Sequence, residues 1–207
     1  MRGYLETIQF AVLLFPLVFL ILLPALFYIY KKRTGETRRY RSAFLLAFGF
    51  AVFTATLLTV LPLPDFTGAY CEQRARYFAL VRLEPFNSMQ SIINYVKWNG
   101  GLSLGTTLGN RQLWQVGLNF LMLAPAGFLL RALWRVNWWQ VLLLGIGFSL
   151  FLELTQLTGI WFIAPCPYRV FDVDDLMANS SGALFGWLVG GIPIFYHILK
   201  RGLTEEA

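Results

Sequence analysis

The sequence predicts an all-α integral membrane protein: five transmembrane helices in one bundle, with the N-terminus outside and the C-terminus cytoplasmic. Three observations carry this. Hydrophobic residues make up 57% of the 207 and charged residues 14%, against about a quarter charged in soluble domains. Mean hydropathy over the chain is +0.58. Apolar runs of spanning length recur five times, and the connections expected on the inner side are rich in Lys and Arg. The length suits one compact bundle and no second soluble domain.

The first span is Ile8–Tyr30, 23 residues kinked at Pro16 and Pro24. It is too long, and MRGYLETIQF too weakly basic, for a cleavable signal. KKRTGETRRYR follows and holds six of the chain's seventeen basic residues with one acid. The positive-inside rule makes this loop cytoplasmic. The net charge of +6 therefore suits a topology signal and anionic lipid headgroups rather than nucleic acid. The second span runs from Ala43 to Leu63 and ends at Pro62 and Pro64. Residues 1–64 thus form two helices around a basic loop.

Residues 65–112 form an outer loop. Within Ser88–Trp98, the residues Met89, Ile92, Ile93 and Val96 share one helical face. That helix either lies flat in the outer interface or caps the bundle. Asn99–Asn110 is Gly-rich and reads as a flexible connector. Residues 113–207 form a three-helix core. Its spans are Leu113–Trp134, Trp138–Ile163 and Asp174–Leu199. Arg131, Arg135, Lys200 and Arg201 mark the inner ends. His197, the single histidine, falls near the inner interface and reads as structural.

With this topology a constellation of polar residues collects at the outer ends of the last three spans. They are Asn119, Glu153, Gln156, Arg169, Asp172, Asp174, Asp175 and Asn179. A charge within a span costs about 2.5–3.5 kcal/mol on insertion scales. Glu153 and Gln156 share a face. Asp172, Asp175, Asn179 and Gly182 step by three and four, and Gly186 and Gly190 continue a small-residue stripe. The fourth span is the expected partner of that face. Asp174, displaced from it, is expected to cap its own helix. The alternative to a binding pocket is an interhelical network with a Glu153–Arg169 pair. Cys71 and Cys166 both fall in outer loops, either as a disulfide over the site or as two free thiols.

These residues resemble the VanZ-like membrane proteins. The family pattern reads here as Leu83-Glu84-Pro85-Phe86, then Asn119 with Pro125 and Gly127, then Glu153 with Gln156, then Asp172, Asp175, Asn179 and Gly182. Arg82 stands where the family usually has Asn. The fit covers about Arg82 to Gly190. The resemblance implies a bacterial cytoplasmic-membrane protein, in a family some of whose members are linked to reduced susceptibility to teicoplanin, a lipid-tailed glycopeptide.

Three functions compete. The first is a binding protein whose outer cluster holds the polar head of a lipid-linked envelope precursor or a lipoglycopeptide. Arg82 and Arg169 would meet an anionic group, and Glu84 and Asp174 lie nearby as secondary candidates. The second is an enzyme on a lipid-linked substrate. Glu153 and Asp175 would divide acid and base roles, or hold Mg²⁺ or Ca²⁺. No cofactor is expected otherwise. The third, a carrier, fits poorly with charges confined to one side.

Overall fold

A computed structural model describes residues 39–61, 63–77 and 80–193. In chain order the elements are α1 (Arg39–Val60), α2 (Gly68–Tyr77), β1 (Val81–Arg82), α3 (Asn87–Trp98), α4 (Leu104–Gly109), α5 (Arg111–Trp134), α6 (Trp138–Leu157), β2 (Phe171–Asp172) and α7 (Val173–Val189). The long helices α1, α5, α6 and α7 make the frame. The shorter elements gather at the end where α5 and α7 begin, called here the loop end.

Among the described residues two helices, α5 and α6, are long and apolar enough to cross a membrane, and α1 contains a shorter apolar stretch, Phe44–Val60. Leu121, Leu143, Leu144, Phe151, Phe185 and Leu188 are exposed on their flanks and on α7. In water such a surface would aggregate; facing lipid it is ordinary. The protein is a helical membrane protein. The expected first span, Ile8–Tyr30, and His197 lie outside the described residues, as do Lys200 and Arg201.

α7 is the central strut, packed chiefly on α5 and then on α6. Its small residues permit this. A Cβ on Gly182 would overlap the Phe120 carbonyl of α5, and one on Gly186 would overlap that of Ala124. Reciprocally, a Cβ on Gly127 of α5 would overlap the Ala183 carbonyl. The glycine stripe therefore meets the third expected span, not the fourth. The fourth meets the adjacent face, where Gly145 of α6 lies against Ser180 and Ala183. Gly182→Ala should force α5 and α7 apart and cost about 1–3 kcal/mol. Thermal unfolding in detergent checks this, and an unchanged melting temperature would contradict the packing.

Helix ends show where hydropathy misleads. The fourth span does not run to Ile163 but stops at Leu157. Gly159, Ile160, Trp161 and Phe162 then adopt positive φ angles of 63°, 55°, 55° and 68°. The Thr158 hydroxyl accepts the Trp161 N–H at 3.0 Å and stabilises this turn. Apolar side chains after Thr158 mimic a continuing helix, although the backbone has reversed its hand. α7 starts within a residue of the fifth span's expected position and ends at Val189, before Gly190 and Gly191; residues 194–199 of the expected span lie outside the described residues. Asn99–Asn110 is not a plain connector. It contains α4, started by a capping box in which Ser103 and Thr106 satisfy each other's backbone N–H.

The loop end is fastened to α7 in three ways. Cys71 and Cys166 form a disulfide. β1 and β2 pair in parallel, Val81 with Phe171 and Arg82 with Asp172. The third fastening is made by Asp174.

Candidate functional site

The segment leading into α7 sends successive aspartates in different directions. Asp172 precedes the helix with extended backbone, and its Oδ1 accepts the Asp174 N–H at 3.0 Å. Asp172 is thus the N-cap, not Asp174 as expected. Its Oδ2 meets Arg82 Nη1 at 3.1 Å. Its backbone N–H donates to Glu153 Oε2 at 3.1 Å. Asp174 instead caps a different helix. Its two carboxylate oxygens accept the N–H groups of Phe86 and Ser88, each at 2.6 Å, at the start of α3. Phe86 has a φ of 64° there, so this carboxylate holds a turn that its own residue type disfavours. Ser88 continues the chain of contacts by accepting from Gln112 Nε2 at 2.7 Å.

Asp175 turns toward the bundle. Gln115 Nε2 on α5 donates to both its carboxylate oxygens, at 3.3 and 3.2 Å, and Asn119 bonds the same carboxylate. One turn further, Asn179 donates from Nδ2 to Ser149 Oγ on α6 at 2.8 Å. Its Oδ1 is buried and has no hydrogen-bond partner. On α6, Gln156 Nε2 donates to the Thr59 carbonyl of α1 at 2.5 Å. Glu153 is only 3% exposed, and no ion pair joins it to Arg169 among the described residues.

Between these side chains lies a cavity of ≈ 250 Å³. Asn119, Glu153, Gln156, Arg169, Asp175 and Asn179 all line it. Two of the expected binding residues do not. Gly182 serves the α5–α7 contact, and Asp172 is occupied with capping and with Arg82. Glu84 is exposed and outside the cavity, and Asp174 serves α3. Gln115 was missed, although it lies one helical turn before Asn119 on the same face. Leu58, Thr59 and Met122 complete an apolar wall with Leu118 and Leu121. No spacing in α1 signals that it reaches the site. Among the described residues no three His, Cys, Asp or Glu side chains form a group able to hold a metal.

Beside the cavity, the loop carrying Arg169 is held by Tyr168. That ring is buried, stacks edge-on with Phe66, and its carbonyl accepts from the Tyr70 hydroxyl at 3.3 Å. Burial pushes the Tyr168 phenol above its ordinary value, with Arg169 pulling the other way. The ring therefore packs neutral beneath the disulfide-linked α2.

The VanZ/LLP1 family model matches residues 48–195, more than half of the chain. The chain belongs to the VanZ/LLP1 family. No curated protein and no solved structure matches it. The match reaches beyond the motifs quoted above into α1, the helix that supplies Leu58 and Thr59 to the cavity. In this VanZ/LLP1 protein the four motif elements converge. The Leu83–Phe86 turn is fixed by Asp174, Gly182 seats α5 on α7, and Asn119, Glu153, Gln156, Asp175 and Asn179 face one cavity.

Proposed function

We propose that this VanZ/LLP1 protein binds a lipid-linked cell-envelope molecule, or a lipoglycopeptide, with its polar head in the cavity and its tail along the lipid-facing surface. The observation that carries this is the mixed lining of the cavity, in which carboxylates, carboxamides and Arg169 stand beside the aliphatic side chains of Leu58, Leu118, Leu121 and Met122. Leu118 and Leu121 belong to this lining and are 42% and 60% exposed on the flank of the bundle. At ≈ 250 Å³ the cavity is smaller than the ~300–1,000 Å³ of ordinary ligand pockets. It suits a head whose tail stays outside.

The reading includes a five-span chain with the N-terminus and the site extracytoplasmic. The Cys71–Cys166 bond supports that sidedness, since disulfides persist in oxidising compartments. Arg131 and Arg135, at the opposite end of α5, fit the cytoplasmic side. Exposed Met89, Ile93 and Trp98 on α3 suit a helix lying in the outer interface. A contribution to teicoplanin resistance follows from the family resemblance and would appear as a change in susceptibility on deletion.

A photoactivatable lipid-linked envelope precursor should crosslink to α5 near Leu118, and unlabelled precursor should compete. Crosslinks scattered over the bundle, without competition, would reject the site. A second reading, catalysis on such a lipid, is favoured by Glu153 and Asp175 sharing the cavity. It requires product formation by purified protein that is abolished in Glu153→Gln, and a divalent-ion requirement would point to Mg²⁺ or Ca²⁺.

A further inference from the structure

The hydrogen-bonding capacity of the cavity wall is unevenly spent. Gln156 uses its donor on the Thr59 carbonyl, which can only accept, so the amide orientation is fixed and its oxygen is left over. Gln115 likewise gives its amide nitrogen to the Asp175 carboxylate and retains its oxygen. Asn179 gives Nδ2 to Ser149 and keeps a buried Oδ1 without a partner. Asn179 is itself only 3% exposed. Glu153 has committed Oε2 to the Asp172 N–H. Gln115, Gln156 and Asn179, all in the cavity lining, thus spend donors within the protein and keep acceptor oxygens.

We propose that the polar head taken by this cavity carries a primary ammonium group, as in an aminoethyl phosphate lipid. This rests on the reading of the cavity as a lipid-head site and narrows it. A primary ammonium brings three donors, no acceptor and one positive charge. It satisfies the leftover amide oxygens while two carboxylates, Glu153 and Asp175, stand in the same wall. Arg169, in the same lining, meets the phosphate that neighbours the ammonium in such a lipid. A quaternary ammonium offers no N–H and leaves the buried Asn179 oxygen unsatisfied, which is costly. An anionic head without a cation would face mostly acceptors.

The test is native mass spectrometry of the full-length protein in detergent with lipids of identical chains. The lipids are phosphatidylethanolamine, its N-monomethyl and N-dimethyl forms, phosphatidylcholine, phosphatidylglycerol and a diglycosyl diacylglycerol. Retention should fall stepwise with N-methylation, with phosphatidylethanolamine held about tenfold better than phosphatidylcholine, the equivalent of one charge-assisted hydrogen bond. This series uses the unmodified protein and does not depend on a variant folding. The preference should vanish in Asn179→Leu and Glu153→Gln. Preferential retention of the glycerol or sugar lipid, lost in those same variants, would overturn the ammonium assignment and leave the lipid-head site standing. Retention of every lipid unaffected by either variant, in protein of unchanged melting temperature, would remove both.

Discussion

Replacing Asp174 by alanine is expected to destabilise the folded protein by about 3–5 kcal/mol, more than any other single polar change at the loop end. One buried carboxylate satisfies the Phe86 and Ser88 N–H groups, both at 2.6 Å. Bonds to a charged acceptor contribute about 1.5–3 kcal/mol each. Removing it also leaves Phe86 in left-handed backbone with its N–H unsatisfied, held only through its carbonyl, which accepts from the Gln90 N–H at 3.0 Å. Apparent melting temperature in detergent measures the loss, and hydrogen exchange at Phe86 and Ser88 locates it. Asp175→Asn is the comparison. Its partners there are the side chains of Gln115 and Asn119, which can reorient where backbone N–H groups cannot, so a drop below about 1 kcal/mol is expected. Equal losses in the two variants would contradict the division of labour between the aspartates.

The second large effect belongs to the disulfide. Cys71 and Cys166 are separated by 95 positions. On the chain-entropy account, closing a loop of that size stabilises by about 4.7 kcal/mol. Cys71→Ser, Cys166→Ser and reduction should each lower the melting temperature, and the three effects should not add. Wild-type protein should migrate faster without reductant than with it, and Cys71→Ser should abolish the difference. Identical migration in all lanes would show free thiols and withdraw the main support for an extracytoplasmic loop end.

Much of this arrangement was legible because it rests on periodic signals. The spacing of Asp175 and Asn179 put them on one face, and Glu153 with Gln156 on another; both faces line the cavity. The same spacing misjudged Gly182, which shares their stripe but lies deeper, against Phe120. It could not separate Asp172 from Asp174 by role, because a carboxylate before a helix reads as a local cap, and the partner of Asp174 is 86 to 88 residues away. The β1–β2 pairing is two residues long in each strand, too short to leave an alternation pattern. The left-handed turn at Gly159–Phe162 was hidden by its own apolar side chains. Gln115 was hidden by its type: a carboxamide at a helix start reads as ordinary surface.

The central claim is that the cavity among α1, α5, α6 and α7 receives the head of an amphiphile. The most direct measurement is the lipid complement that co-purifies with the full-length protein, compared between wild type and Asn179→Leu by mass spectrometry after matched washing. The account predicts an amphiphile enriched over the bulk membrane in wild type and reduced to bulk proportion in the variant, with both proteins melting alike. The same enriched lipid in both would contradict it, because the unpartnered buried oxygen of Asn179 would then play no part in what the protein holds.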